Sequence, residues 1–246
     1  MNIIATYNIK GGVGKTSTAV NLAYLASRDG DRTLLWDLDP QAAATFLFRV
    51  RPRVKGGTEA LIRNRDAVDN AIKGTDFDRL DLLPADFTYR HMDLVLDAAK
   101  RSTERIARLL DPLREQYDTI LLDCPPSASL VSENILRAAD VLVVPLIPTT
   151  LSLRTFDQLT EFIANTGGRH PAVLAFFSMV DRRKRLHRDL VEQLPTQRPG
   201  ISDVSIPSAT IVEQMAVRRA PVPSFAPNHP ISRDYERLFA EIRTIT

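Results

Sequence analysis

The chain has 246 residues, a formal net charge of +2, 44% hydrophobic and 25% charged residues, and one cysteine, Cys124. That composition suits a globular fold with a sizeable core, and the small net charge means that any basic footprint is local. One thiol excludes an internal disulfide and a Cys-rich zinc site, and it argues against an iron–sulfur cluster.

The opening M-N-I-I-A-T-Y has no basic stretch ahead of an apolar one, so no secretory signal is expected. No run of about 18 apolar residues appears, so no membrane span is expected either. Cytoplasm is the expected compartment.

In chain order, Ile3–Tyr7 reads as a short buried strand. Thr16–Ser27 has helical spacing, with Ala19, Leu22, Ala23 and Ala26 on one face. Thr33–Trp36 is the next apolar run, ending in D-L-D-P. The basic stretch V-R-P-R-V-K-G-G, Val50–Gly57, reads as a surface loop. Leu80–Leu83, Thr119–Leu122, Val141–Val144, Val173–Phe177 and Val204–Ile206 are further strands, with helical stretches between most of them. Pro195–Gly200 reads as a break. Near the end, Tyr235, Leu238, Phe239 and Ile242 form one apolar stripe, read as a helix docking on the core. The alternation predicts an α/β fold, a mostly parallel twisted sheet with helices on both faces. No linker or repeat interrupts it, so residues 1–246 are expected to form one unit. Ligands of such sheets sit beyond the carboxyl ends of the strands.

Residues 8–17 read N-I-K-G-G-V-G-K-T-S, between the first strand and the first helix. Gly11, Gly12 and Gly14 allow backbone N–H groups to approach a phosphate closely, and the helix start adds its free N–H groups. Lys15 supplies a point charge for the outer phosphates, and the Thr16 hydroxyl is a ligand for Mg²⁺. The generic phosphate loop has a glycine where Ile9 stands, so the pattern that fits is K-G-G-x-G-K-[ST]. Its chance occurrence is on the order of once in tens of thousands of chains of this length, so a glycine turn with stray lysines is a poor account. Asp123 ends the run I-L-L, where a carboxylate can hold Mg²⁺ through water. Cys124 has no activating neighbour and reads as a small buried residue.

K-G-G-V-G-K-T-S, D-L-D-P-Q at Asp37–Gln41 and I-L-L-D-C-P-P at Ile120–Pro126 together resemble the deviant-Walker ATPases, and among them the ParA-type partition and positioning ATPases. The resemblance runs over essentially the whole chain. It returns, more weakly, in V-S-I-P (Val204–Pro207) and P-V-P-S-F-A-P-N-H-P (Pro221–Pro230).

The resemblance implies ATP and Mg²⁺ as cofactors and ATP hydrolysis as the activity. It implies a nucleotide site made of Lys10, Gly11, Gly12, Val13, Gly14, Lys15, Thr16, Ser17 and Pro207. Lys10 would reach the nucleotide of the other subunit of an ATP-bound homodimer. Asp39 would orient the attacking water, and Thr16, Asp39 and Asp123 would serve the metal, with Asp37 helping its shell. The alternative for Asp37 and Asp39 is that they cap a turn before Pro40. The purine is expected near Ser178–Asp181 and Ile206–Pro207.

Nonspecific DNA binding, and with it a nucleoid-associated location, is a further implication. Its candidates are Arg183, Lys184, Arg185 and Arg218, in or after the run D-R-R-K-R-L-H-R that also holds His187. The alternative is a solvated helix face. A second usual arginine of the family corresponds to Ile211. The expected partner is a ParB-like or other protein that stimulates hydrolysis, and the expected cargo is a chromosome or plasmid locus or a protein cluster. Leu146–Thr155 departs from the acidic, aromatic segment usual in chromosome-partition members. Two other readings use the same scaffold. One is a MinD-like membrane positioner, disfavoured because no lipid-binding tail is expected after the final helix. The other is an ATP-dependent metabolic enzyme.

Overall fold

The computed structural model describes residues 2–245, with every side chain among them except that of Arg65. Eight strands form one sheet: β1 (Asn2–Thr6), β2 (Thr33–Asp37), β3 (Lys73–Gly74), β4 (Leu80–Leu83), β5 (Thr119–Asp123), β6 (Val141–Leu146), β7 (Ala172–Val180) and β8 (Ile201–Pro207). Their order is β3-β4-β2-β5-β1-β6-β7-β8. Every pairing is parallel except that of β3 with β4. The two-residue β3 has no hydrophobic run to announce it and escapes a reading based on periodicity.

Among the described residues, twelve α-helices surround the sheet: α1 (Lys15–Arg28), α2 (Ala43–Leu47), α3 (Gly57–Arg63), α4 (Arg65–Ala71), α5 (Met92–Asp97), α6 (Arg105–Leu110), α7 (Leu130–Ala138), α8 (Thr150–Asn165), α9 (Arg185–Gln197), α10 (Thr210–Arg218), α11 (Val222–Phe225) and α12 (Pro230–Ile245). Strand alternation sends side chains to two cores. Ile3, Ala5, Leu34, Trp36, Ile120 and Leu122 pack towards α3 to α9. Ile4, Leu35 and Leu121 pack towards α1, α2 and α10 to α12. Both faces are therefore covered, as continuous apolar strands require.

The predicted stripe on α12 docks on the second core, with Tyr235, Leu238, Phe239 and Ile242 buried. Each such burial contributes about 1.5–3 kcal/mol. The break expected at Pro195–Gly200 is corrected: α9 runs through Pro195 to Gln197. Proline costs a helix the amide that would reach the residue four back, here Val191, and this one lies in the last turn where few later bonds depend on it.

Candidate functional site

The glycine loop leaves β1 at the carboxyl edge of the sheet. Asn8 fixes its start: the side-chain amide donates to the Pro145 carbonyl at 2.8 Å, and Oδ1 accepts from the Lys10 amide at 2.9 Å. Gly12 and Gly14 have φ of +70° and +95°. Gly14 is constrained twice, because a Cβ there would lie 2.8 Å from Ser178 Oγ at the end of β7. The loop then passes into α1, whose first-turn residues Lys15, Thr16 and Ser17 line a cavity of about 720 Å³ with Gly11, Gly12 and Gly14. Free N–H groups and the positive helix end meet any anion held there.

The Lys15 Nζ donates to the Lys10 carbonyl at 2.8 Å. Burial pushes the Lys15 pKa down, while Asp123, Cys124 and Asp39 act in the other direction. Lys10 and Val13 are not on the cavity wall; Val13 is buried and Lys10 half-exposed.

β2 and β5 are neighbours, and their register sets Asp37 opposite Asp123; β1 sets Thr6 opposite Asp123 on the other side. Asp37 Oδ2 accepts from the Thr45 amide at 2.8 Å and the Thr45 hydroxyl at 2.7 Å, and Oδ1 accepts from the Asp39 amide at 3.2 Å. Burial pushes its pKa up to about 6, against the opposing effect of those bonds. These bonds hold Asp37 against Thr45 and the Asp39 amide. Asp39 Oδ1 accepts from the Gln41 amide at 2.9 Å, and Asp39 lines the cavity. Between Asp39 and α2, Ala42 holds a left-handed φ of +57°.

Asp123 is wholly buried, and neither carboxylate oxygen has a hydrogen-bond partner among the described residues. The Thr16 hydroxyl is near enough to favour the anion without closing a bond of ordinary geometry. Burial, and then the charge of Asp37, hold the Asp123 pKa well above the usual carboxylate range. Among the described residues no group of three or more His, Cys, Asp or Glu side chains could hold a metal by itself. Cys124 is buried too, and burial raises its pKa, as suits an inert thiol.

The far side of the cavity is built by Ser178, Met179, Ile206 and Pro207, from the two late segments singled out above. Asp181 lies off this wall. The sequence reading missed Phe46 and Leu47 of α2 and Val212, Glu213, Met215 and Ala216 of α10, which also line it. A signal existed in the apolar residues of A-A-A-T-F-L, directly after D-L-D-P-Q, but a five-residue helix is too short to show periodicity.

The basic run takes an unexpected form. Arg183 closes a two-pronged ion pair on Asp181, Nε to Oδ1 at 2.9 Å and Nη2 to Oδ2 at 3.0 Å, which holds the Asp181 pKa at about 2. Arg185 pairs with Asp189 at 3.6 Å, and Lys184 is exposed. His187, also in this run, is a buried brace: its Nδ1 accepts from the Asp181 amide at 3.1 Å. Ile211 packs against the second core. Arg218 is exposed and stacks over Phe225 at 4.9 Å.

A glycine loop between the first strand and first helix of a parallel sheet, closed by a lysine on its own backbone, places the chain among the P-loop nucleotide-binding proteins. A family model for an AAA domain matches residues 1–172. The sporulation initiation inhibitor protein Soj of Bacillus subtilis is 34% identical over 203 residues, 78% of each chain. The chromosome partitioning protein ParA of Caulobacter vibrioides is 31% identical over 229 residues, 90% of this chain and 84% of that one. Cobyrinic acid a,c-diamide synthase from Mycobacterium smegmatis, solved with an ATP analogue and magnesium, superposes with a TM-score of 0.79 at 23% identity, covering 98% of this chain and 94% of that one. It shares the fold. The chain belongs to the ParA family of P-loop ATPases.

Proposed function

We propose that the protein is an ATP-hydrolysing switch that dimerises around ATP, binds DNA without sequence preference, and partitions or positions a cargo under the control of a stimulating partner. The observation that carries the nucleotide part is Asp123: a buried carboxylate without partners among the described residues, beside the hydroxyl that heads α1. Hard oxygen donors of this kind fit Mg²⁺, which completes its shell with phosphate oxygens and water. When bound, the metal would neutralise charge on the β- and γ-phosphates.

The chain's own residues do the rest. Gly11 to Thr16 present backbone N–H groups to the phosphates. Lys15 trades the Lys10 carbonyl for, or shares it with, a phosphate oxygen. Asp39, on the cavity wall and braced through its amide by Asp37, orients the attacking water. Lys10, whose ammonium has no partner among the described residues, extends to the nucleotide of a second subunit as an arginine finger does. Pro207 and Ser178 flank the purine.

ParA- and Soj-named relatives support the partition reading. No helix among the described residues is long and apolar enough to cross a bilayer. The fold is shared with a ligase-type enzyme and does not separate switch from ligase. The test is retention of a random-sequence duplex at low salt, with and without Mg²⁺–ATP, alongside light scattering. ATP-dependent dimers that retain DNA are expected. Turnover that needs a small acid substrate, with no dimer and no DNA retained, would sink the switch.

A further inference from the structure

The cations at the start of α9 are partly spent. Arg183 is held by Asp181, and Arg185 pairs with Asp189. The segment joining α2 to α3 is different. In V-R-P-R-V-K-G-G, Arg51, Arg53 and Lys55 are exposed, and none forms an ion pair or side-chain hydrogen bond among the described residues.

This loop is fixed in place. Val54, between Arg53 and Lys55, is buried in the first core, and its amide donates to Asp86 Oδ2 at 2.8 Å. The Gly57 amide closes a turn on the Val54 carbonyl at 3.0 Å. Gly57 has a φ of +61°, and a Cβ there would meet Thr88 Oγ1 at 2.8 Å. The carboxylates nearby are engaged. Asp76 pairs with Arg49 at 2.8 Å, Glu59 pairs with Arg63 at 2.9 Å, and Asp86 is buried under three donors.

Two bonds join α2 and this loop to the end of α10. Arg49 Nη2 donates to the Arg218 carbonyl at 2.9 Å, and Arg219 Nε donates to the Phe46 carbonyl at 2.8 Å. The Arg219 guanidinium also stacks on the Phe46 ring at 4.5 Å. Arg218 and Arg219 thereby stand beside the loop, and neither is in an ion pair among the described residues.

We infer that Arg51, Arg53 and Lys55, continued by Arg218 and Arg219, form the surface that contacts the phosphates of duplex DNA. Clustered cations on a fixed backbone bind phosphate by displacing counterions and read no sequence. Both halves of the stripe adjoin the cavity. Phe46 and Leu47 precede the loop, and Val212 and Ala216 precede Arg218. The inference rests on the DNA-binding part of the proposed function.

The experiment is fluorescence anisotropy of a labelled random-sequence duplex with Mg²⁺ and a non-hydrolysable ATP analogue, across a salt series. The chain carrying Arg51→Gln, Arg53→Gln and Lys55→Gln together is expected to bind at least about tenfold more weakly, with a log K against log salt slope shallower by about 2 to 3. Its nucleotide affinity, measured in parallel, should not change. A control carrying Lys100→Gln and Arg101→Gln, which removes exposed charge elsewhere, should bind as the unaltered chain does. Unchanged DNA binding by the triple variant, or equal loss in the control, overturns the stripe and leaves the DNA reading intact. Failure of the unaltered chain to bind any duplex overturns both.

Discussion

The Lys15 ammonium donates to the backbone carbonyl of Lys10 at 2.8 Å, so the two lysines of the glycine loop are joined through one's side chain and the other's main chain. Lys15→Ala removes the phosphate clamp and the brace together. ATP affinity should fall on the order of 100-fold, the scale of a hydrogen bond between charged groups left unmade. Titration with a fluorescent nucleotide checks this, and unchanged affinity would remove Lys15 from the site.

Lys10→Ala keeps the carbonyl that Lys15 uses. Nucleotide binding by the monomer should therefore survive, while ATP-dependent dimerisation weakens by about tenfold or more, the scale of one charge-assisted hydrogen bond across an interface. Sedimentation at graded concentrations reads the second quantity. Equal loss of both would assign Lys10 to its own loop.

Asp39→Ala should leave ATP bound and slow hydrolysis by about 100-fold or more, the range of a missing acid–base group. Dimer should accumulate in the presence of ATP. Phosphate release combined with light scattering tests it; normal turnover would contradict the assignment.

Gly14→Ala meets two obstacles, a φ of +95° and the Ser178 Oγ at 2.8 Å. A loss of about 1–3 kcal/mol is expected, from strained backbone and overpacking. Adding Ser178→Gly should return only the part due to the clash. Thermal melts of the single and double variants separate the two parts.

His187 gives a pH dependence. Burial, then the charge of Lys184, depress its pKa below the usual value of 6.5. The unfolded chain therefore takes up the proton first. Its contribution to stability is intact above about pH 6.5 and is lost as pH falls from there through the lower folded-state pKa. His187→Asn keeps an acceptor for the Asp181 amide and cannot titrate in this range, so melts of that variant should vary less between neutral and mildly acid pH. An unchanged profile would place the pH response elsewhere.

Much of the fold was legible because β2, β5 and β6 are apolar on both faces and the helices between them carry a 3.6-residue stripe. The phosphate loop was legible because glycine and lysine at fixed spacing leave few alternatives. Three things were hidden. α2 has five residues, too few for a period, so Phe46 and Leu47 gave no sign of lining the cavity. Asp37 and Asp39 are identical in type and two apart, and only register and the position of Thr45 show that Asp37 is the one held by Thr45. Arg183 read as a free cation because a local pairing with Asp181 two residues back depends on the turn, which composition does not encode.

Asn21 sits on α1, one turn beyond the phosphate loop. Its amide donates to the Ser17 carbonyl and Met215 Sδ, and its Oδ1 accepts from the Val222 amide. A single side chain thus ties the head of the molecule to α10 and to the start of α11. The stretch that the family model matches ends at residue 172, before either. A chain cut there keeps every glycine and lysine of the loop yet strips the apolar flank of α1 bare and removes the cavity wall at Ile206 and Pro207. The portion that the family model matches and the portion that builds the whole cavity are therefore not the same length of polypeptide.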